Sequence, residues 1–193
     1  ISGSGNYQYG TEVTLSATAN EGYMFENWTE GGQEVCADDD YTFEVTSDRV
    51  LVANFVLETY EIQVSANPEN GGTVSGEGTY QHGDDVTVVA TNNEGYAFVN
   101  WTEDGEIVSE DATYTFEAYS NRNLVAEFSI ESYNIVAAAN PSIGGSVSGS
   151  GNYQYGTEIT LSATANEGYL FQNWTESGQE ISDDEDYTFE VTC

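Results

Sequence analysis

EGYMFENWTE at residues 21–30, EGYAFVNWTE at 94–103 and EGYLFQNWTE at 167–176 are three copies of one decapeptide, each starting 73 residues after the last. A fixed period of this length is the signature of a tandem array, so the period is read before any single motif. In each copy a Gly turns the chain into a Tyr-x-Phe pair, and the stretch closes on Asn-Trp-Thr. Tyr, Phe and Trp are the bulkiest apolar side chains of the unit and are expected to nucleate its core. The chain is then a string of small cores.

Aligned on that period, the sequence divides into repeat 1 at residues 1–57, without a leading strand, a complete repeat 2 at 58–130, and repeat 3 at 131–193, without a closing strand. Residues 1–47 and 147–193 agree at 37 of 47 positions, and exchanges such as Val13 for Ile159 or Met24 for Leu170 keep the character a buried site demands. Within repeat 2, alternation at Tyr60, Ile62, Val64 and Ala66 predicts a strand ending at Asn67-Pro68. Gly71-Gly72 turns the chain into Thr73 to Ser75, where Gly76 and Gly78 predict a bulged or bent second strand. Alternation at Val86, Val88 and Ala90, the stretch from Tyr96 to Trp101, the pair Ile107-Val108, and the rows Tyr114, Phe116, Ala118 and Leu124, Ala126, Phe128 bring the total to seven. Short strands with turn signals about every eight to twelve residues indicate an all-β unit. No stretch has a helical period, and only a single helical turn near Ser109 to Ala112 stays open.

The chain has 34 Asp and Glu against two basic residues, Arg49 and Arg122, for a formal charge of −32. Such a charge repels phosphates and anionic lipid, which argues against nucleic acid or a membrane surface as partner. With 38% hydrophobic and 13% aromatic residues the chain is too apolar for a disordered acidic tail. No run of 18 apolar residues offers a membrane-spanning helix. Ile1 falls inside a repeat, so the sequence reads as a window on something longer.

The segments Tyr60 to Tyr80, Gly83 to Thr87, Glu94 to Thr102, Tyr114 to Phe116 and Arg122 to Phe128 follow one another in an order that resembles the divergent internalin-type B-repeat of bacterial surface proteins. The resemblance implies a small β-rich, β-grasp-like module, strung in tandem on secreted or cell-surface proteins as a stalk, spacer or adhesive region. It implies no catalytic residues. The long helix of a strict β-grasp has no counterpart in the sequence.

Asn27, Asn100 and Asn173 each open an Asn-Trp-Thr sequon, a candidate glycan acceptor on a secreted protein; the competing reading makes them polar partners at the exit of a strand whose Trp is buried. Acidic clusters at Asp38 to Asp40, Glu110 and Asp111, and Asp183 to Asp186 offer hard oxygen donors for Ca²⁺, yet the EF-hand spacing is absent, and a solvated loop is the simpler reading. No cofactor or metal ligand is assigned. Cys36 and Cys193 stand where the other repeats carry Ser. They read as inert thiols, as engineered handles, or as an intermolecular disulfide that joins chains head to tail. His82, the only His, occupies the place of Tyr9 and Tyr155, so no His-based catalytic or metal set assembles. Tyr7, Tyr9, Tyr153 and Tyr155 suit either sugar stacking or strand packing.

The expected function is a non-enzymatic extracellular repeat forming a stalk, spacer or head-to-tail filament at the cell surface. The alternative is an adhesin that recognises a glycan or host protein. Lysine depletion with excess acid also suits a salt-adapted surface protein.

Overall fold

A computed structural model describes residues 1–192, so the expected link through Cys193 lies outside the described residues. Repeat 1 holds β1 (Glu12–Ser16), β2 (Tyr23–Glu30), β3 (Gln33–Cys36), β4 (Asp40–Glu44) and β5 (Leu51–Leu57). Repeat 2 holds β6 (Thr59–Asn67), β7 (Gly72–Ser75), β8 (Gly78–Gln81), β9 (Asp85–Asn92), β10 (Tyr96–Glu103), β11 (Glu106–Ser109), β12 (Thr113–Glu117) and β13 (Arg122–Ile130). Repeat 3 holds β14 (Ser132–Ile135), β15 (Gly145–Ser148), β16 (Gly151–Gln154), β17 (Glu158–Ala165), β18 (Trp174–Glu176), β19 (Gln179–Ser182) and β20 (Asp186–Glu190). The all-β, tandem expectation holds. Repeat 2 has eight strands, not seven, because the expected bulge at Gly76 is a full break: its φ is +102°, and a Cβ there would overlap the Thr87 carbonyl. Bends, not a helical turn, follow Ser109, and the sole helical element among the described residues is the 3-10 turn Glu69–Gly71.

Strand order is β3-β2-β5 and β1-β4 in repeat 1, β11-β10-β13-β6-β8 and β12-β9-β7 in repeat 2, and β14-β16, β15-β17-β20 and β18-β19 in repeat 3. One register recurs. Val13 faces Phe43 and Leu15 faces Tyr41, as Val86 faces Phe116 and Val88 faces Tyr114, and as Ile159 faces Phe189 and Leu161 faces Tyr187. Because side chains alternate across a strand, the residues between them point outward. There the pairs Thr14–Thr42, Thr87–Thr115 and Thr160–Thr188 share hydroxyl hydrogen bonds of 2.7, 2.9 and 2.7 Å. Next to them, carboxylates oppose carboxylates at Glu12 and Glu44, Asp85 and Glu117, and Glu158 and Glu190, a like-charge pairing that opposes folding.

The decapeptide explains its own spacing. Phe25 and Trp28 are three residues apart and would face opposite sides of an unbroken strand. Against β5 the register of β2 shifts between Phe25 and Asn27, and against β3 it shifts between Trp28 and Thr29. The same two shifts bracket Asn100 and Trp101 in β10. A bulge reverses the alternation, so Phe and Trp both turn inward. Their rings lie 6.0 Å apart in repeat 1, 6.1 Å in repeat 2 and 5.8 Å in repeat 3. Trp28, Trp101 and Trp174 are 1%, 0% and 8% exposed. Each indole N–H donates to a loop carbonyl, of Asp39 (3.2 Å), Ala112 (3.2 Å) and Asp184 (3.1 Å). Two tyrosines of the triplet do not join this core: Tyr23 and Tyr169 are 44% and 39% exposed, at its rim, while Tyr96 is half-buried.

The described residues form two compact units. The first, Ile1–Val64, Ser75–Val89 and Thr113–Leu124, is built on Val13, Leu15, Trp28, Ile62, Val86, Val88 and Leu124. The second, residues 65–74, 90–112 and 125–192, is built on Trp101, Ala126, Phe128, Ile159, Leu161, Trp174 and Val191.

Both arginines lie in the first unit and do the same work there. The Arg49 guanidinium sits 4.6 Å above the Phe43 ring and 5.5 Å from the Tyr41 ring, and bonds Glu30 at 2.7 Å and the Tyr41 hydroxyl at 3.2 Å. Arg122 sits 4.3 Å above Phe116 and bonds the Tyr114 hydroxyl at 3.3 Å. Hydrogen bonding to Arg49 holds the Glu30 carboxyl below its ordinary range. Replacing Arg122 by Ala removes the cation–π contact and the stem that covers Phe116, and is expected to cost about 1–2 kcal/mol in urea denaturation, with Arg122→Lys recovering only part.

Candidate functional site

The feature that recurs from repeat to repeat is the joint between consecutive repeats. It occurs twice, each time inside one compact unit. In the first, the Gly22 carbonyl accepts a hydrogen bond from Glu58 N–H at 2.8 Å, and the Glu58 carbonyl accepts one from His82 N–H at 2.9 Å. In the second, Gly95 accepts from Glu131 at 2.8 Å and Glu131 from Tyr155 at 2.9 Å. One linker residue thus ties the decapeptide turn of one repeat to the β8-β9 or β16-β17 turn of the next.

The glycine of the decapeptide serves this joint in two ways. Gly22 and Gly95 both have φ +77°, the left-handed region that other residues enter at a cost. A Cβ on Gly22 would overlap the His82 ring, and one on Gly95 the Tyr155 ring. Gly168 has the same backbone, φ +84°, with nothing within 4 Å. An aromatic plug therefore sits in a glycine socket at each joint. Tyr9, the counterpart plug in repeat 1, is 81% exposed.

The first joint carries a polar cluster. The Tyr60 hydroxyl bonds the Glu58 carboxylate at 2.5 Å and lies 3.2 Å from His82 Nδ1, and the Tyr119 ring meets His82 edge-on at 5.0 Å. Tyr119 donates to Glu117 at 2.9 Å, and in the second joint Tyr133 donates to Glu131 at 2.7 Å. The carboxylates beside Tyr60 and Tyr119 penalise a second negative charge on the phenol. The hydrogen bond to Glu58, then burial, raises the Tyr60 pKa above the ordinary phenol range, and Glu117 does the same for Tyr119.

The residues singled out from sequence fall elsewhere. Asn27 is half-buried in β2; its amide nitrogen donates to Glu34 at 2.9 Å and its oxygen accepts from Asn54 at 2.8 Å. Asn173 donates to Glu180 at 2.6 Å. In repeat 2, Ile107 and Glu127 stand where Glu34 and Asn54 do in repeat 1, and the buried Asn100 Oδ1 has no hydrogen-bond partner. Cys36 is a free thiol that lies 3.6 Å from the Asp38 carbonyl, where Ser109 Oγ makes the same contact to Asp111 at 3.3 Å. Among the described residues, no three metal-ligating side chains converge, and the acidic loops present their carbonyls to tryptophan. Tyr7 and Tyr153 donate to the Gly3 and Gly149 carbonyls at 2.7 and 2.8 Å, so their hydroxyls pin local turns. The sequence signals the socket only as a Gly shared by three copies, and the plug only as an aromatic position shared by Tyr9, His82 and Tyr155; nothing in it pairs the two.

A family model described as the divergent InlB B-repeat domain matches residues 1–59, 62–132 and 135–193. The chain is also similar to a protein of Evansella cellulosilytica described as a putative membrane protein, with 26% identity over 173 residues. The alignment takes in 86% of this chain and 26% of that protein's length, so the chain corresponds to about a quarter of that relative.

The joint makes two tests. Gly168→Ala is expected to cost about 1–2 kcal/mol, the left-handed backbone alone, whereas Gly95→Ala should cost at least about 3 kcal/mol and speed hydrogen exchange at the Glu131 and Tyr155 amides. Equal costs would remove the plug from the account. For the phenols, the raised folded pKa makes their stabilisation fully present below the unfolded value near 10 and lost as pH rises through the folded one. Ultraviolet titration of Tyr60→Phe should therefore lack a late-titrating phenol, and its stability deficit should close in alkali.

Proposed function

The chain belongs to the divergent InlB B-repeat domain family, and from that premise we propose that it is a non-catalytic extracellular segment, a stalk or spacer that holds another part of a cell-surface protein at a distance. The observation that carries this reading is the repetition of one joint. Gly22, Glu58 and His82 are connected as Gly95, Glu131 and Tyr155 are, by the same pair of backbone hydrogen bonds. A joint made the same way each time lets length grow by adding repeats. The description of the Evansella relative as a putative membrane protein supports placement at a cell envelope.

Charge favours the same use. With Arg49 bound to Glu30 and Tyr41 and stacked on Phe43, and Arg122 stacked on Phe116, a formal charge of −32 faces solvent. Mutual repulsion between such chains resists aggregation. An exposed tyrosine in the complete repeat, Tyr119 at 54%, is what favours the second reading, an adhesin that stacks sugar rings on tyrosine.

Small-angle scattering tests the proposal. A compact globule of this length has a radius of gyration of about 16 Å, and a spacer should exceed that by roughly half or more, unchanged in high salt. A compact value removes the spacer reading. Saturable binding on a glycan array would move the assignment to the adhesin.

A further inference from the structure

The order of strands in repeat 2 says how it meets force. Its first strand, β6, and its last, β13, are neighbours in the five-stranded sheet. Two contacts fix their relative direction. Glu61 N–H donates to Asn121 Oδ1 at 2.8 Å, and Asn67 Nδ2 donates to Glu127 Oε2 at 2.6 Å. Both pairs are 60 residues apart, a constant offset that antiparallel strands cannot give. The two strands run parallel. The chain comes into the repeat at Thr59, beside the start of β13, and leaves at Ile130, at the far end of the pair.

We infer that the β6–β13 pair is a mechanical clamp and that each complete repeat is a load-bearing unit, able to transmit tension along the chain without unfolding. Tension applied through the linkers at Glu58 and Glu131 pulls β6 and β13 in opposite directions along their own axes. All the hydrogen bonds between them must then yield together, whereas a pair pulled apart from one end opens a bond at a time. The neighbours reinforce the pair. β13 is held on its other side by β10 through six register pairs from Tyr96 with Ile130 to Thr102 with Val125, and β6 by β8 through four. Ile62 on β6 and Leu124 on β13 are both buried, so sliding would also drag apolar side chains out of the core. Resistance to forced unfolding is a rate property, set by the barrier and separate from equilibrium stability.

The inference extends the spacer reading from reach to load, and its test does not depend on that reading. In a Cys36→Ser, Cys193→Ser background, handles are attached at Thr59→Cys and Ser129→Cys in one protein and at Thr59→Cys and Ser120→Cys in the other. Both are pulled by single-molecule force spectroscopy. The first geometry shears the pair and the second unzips it, while both release roughly 200 Å of chain. Because the two share a fold, the ratio of forces isolates direction. Shear is expected to require at least about three times the unzipping force at equal loading rate, since evenly spaced parallel bonds share the load. Equal forces would overturn the clamp and leave the spacer reading intact; an extended chain is not needed for a high ratio, so a compact scattering profile would leave the clamp standing.

Discussion

Burying Trp28 and Trp101 on the same side as Phe25 and Phe98 requires a strand that breaks its own alternation, and the rest of each repeat is arranged around the bulges that accomplish this. An indole brings a large apolar area and one N–H that must be answered when buried. The loop before β4 answers it with the Asp39 carbonyl, and the loop before β12 with that of Ala112. The acidic loops thus have a structural task in their backbones, which leaves their carboxylates free to face water.

The charge of the chain sets the second constraint. Carboxylates directly opposite one another at Glu12 and Glu44, or Asp85 and Glu117, weaken the strand pair that carries them. The inner row of the same pair, Val13 with Phe43 or Val86 with Phe116, offsets this by burying apolar area on the other face. Glu30 and Arg49 form a close ion pair, and the arginine also covers an aromatic ring, so it contributes more than its charge. A lysine would lack the planar contact.

Repeats of this size gain from their neighbours, and the joint shows how. The linker residue uses both backbone groups, N–H to one repeat and carbonyl to the next, while a glycine without a side chain lets an aromatic ring of the following repeat settle against the turn. His82 and Tyr155 fill equivalent sockets with different chemistry, so shape and not polarity is what the socket reads. The direction of β6 and β13 adds a consequence on a larger scale: where the chain enters and leaves a repeat decides how it bears tension.

The period, the strands and the inner rows were legible in the sequence, because alternation and tandem identity are local properties of the chain. The Phe-x-x-Trp spacing even held the sign of the bulge, since no regular strand buries both. Pairing was not legible. GNYQ at residues 151–154 is strand β16 beside β14, while the identical GNYQ at residues 5–8 is not a strand. Likewise residues 169–173 share the decapeptide with β2 and β10 but are not strand. The joint was hidden for the same reason, because His82 meets Gly22 only after two repeats have folded. Residue type fixes which groups seek burial and which turns are cheap, but a strand exists only against the neighbour that completes its hydrogen bonds, and tertiary structure alone supplies that neighbour.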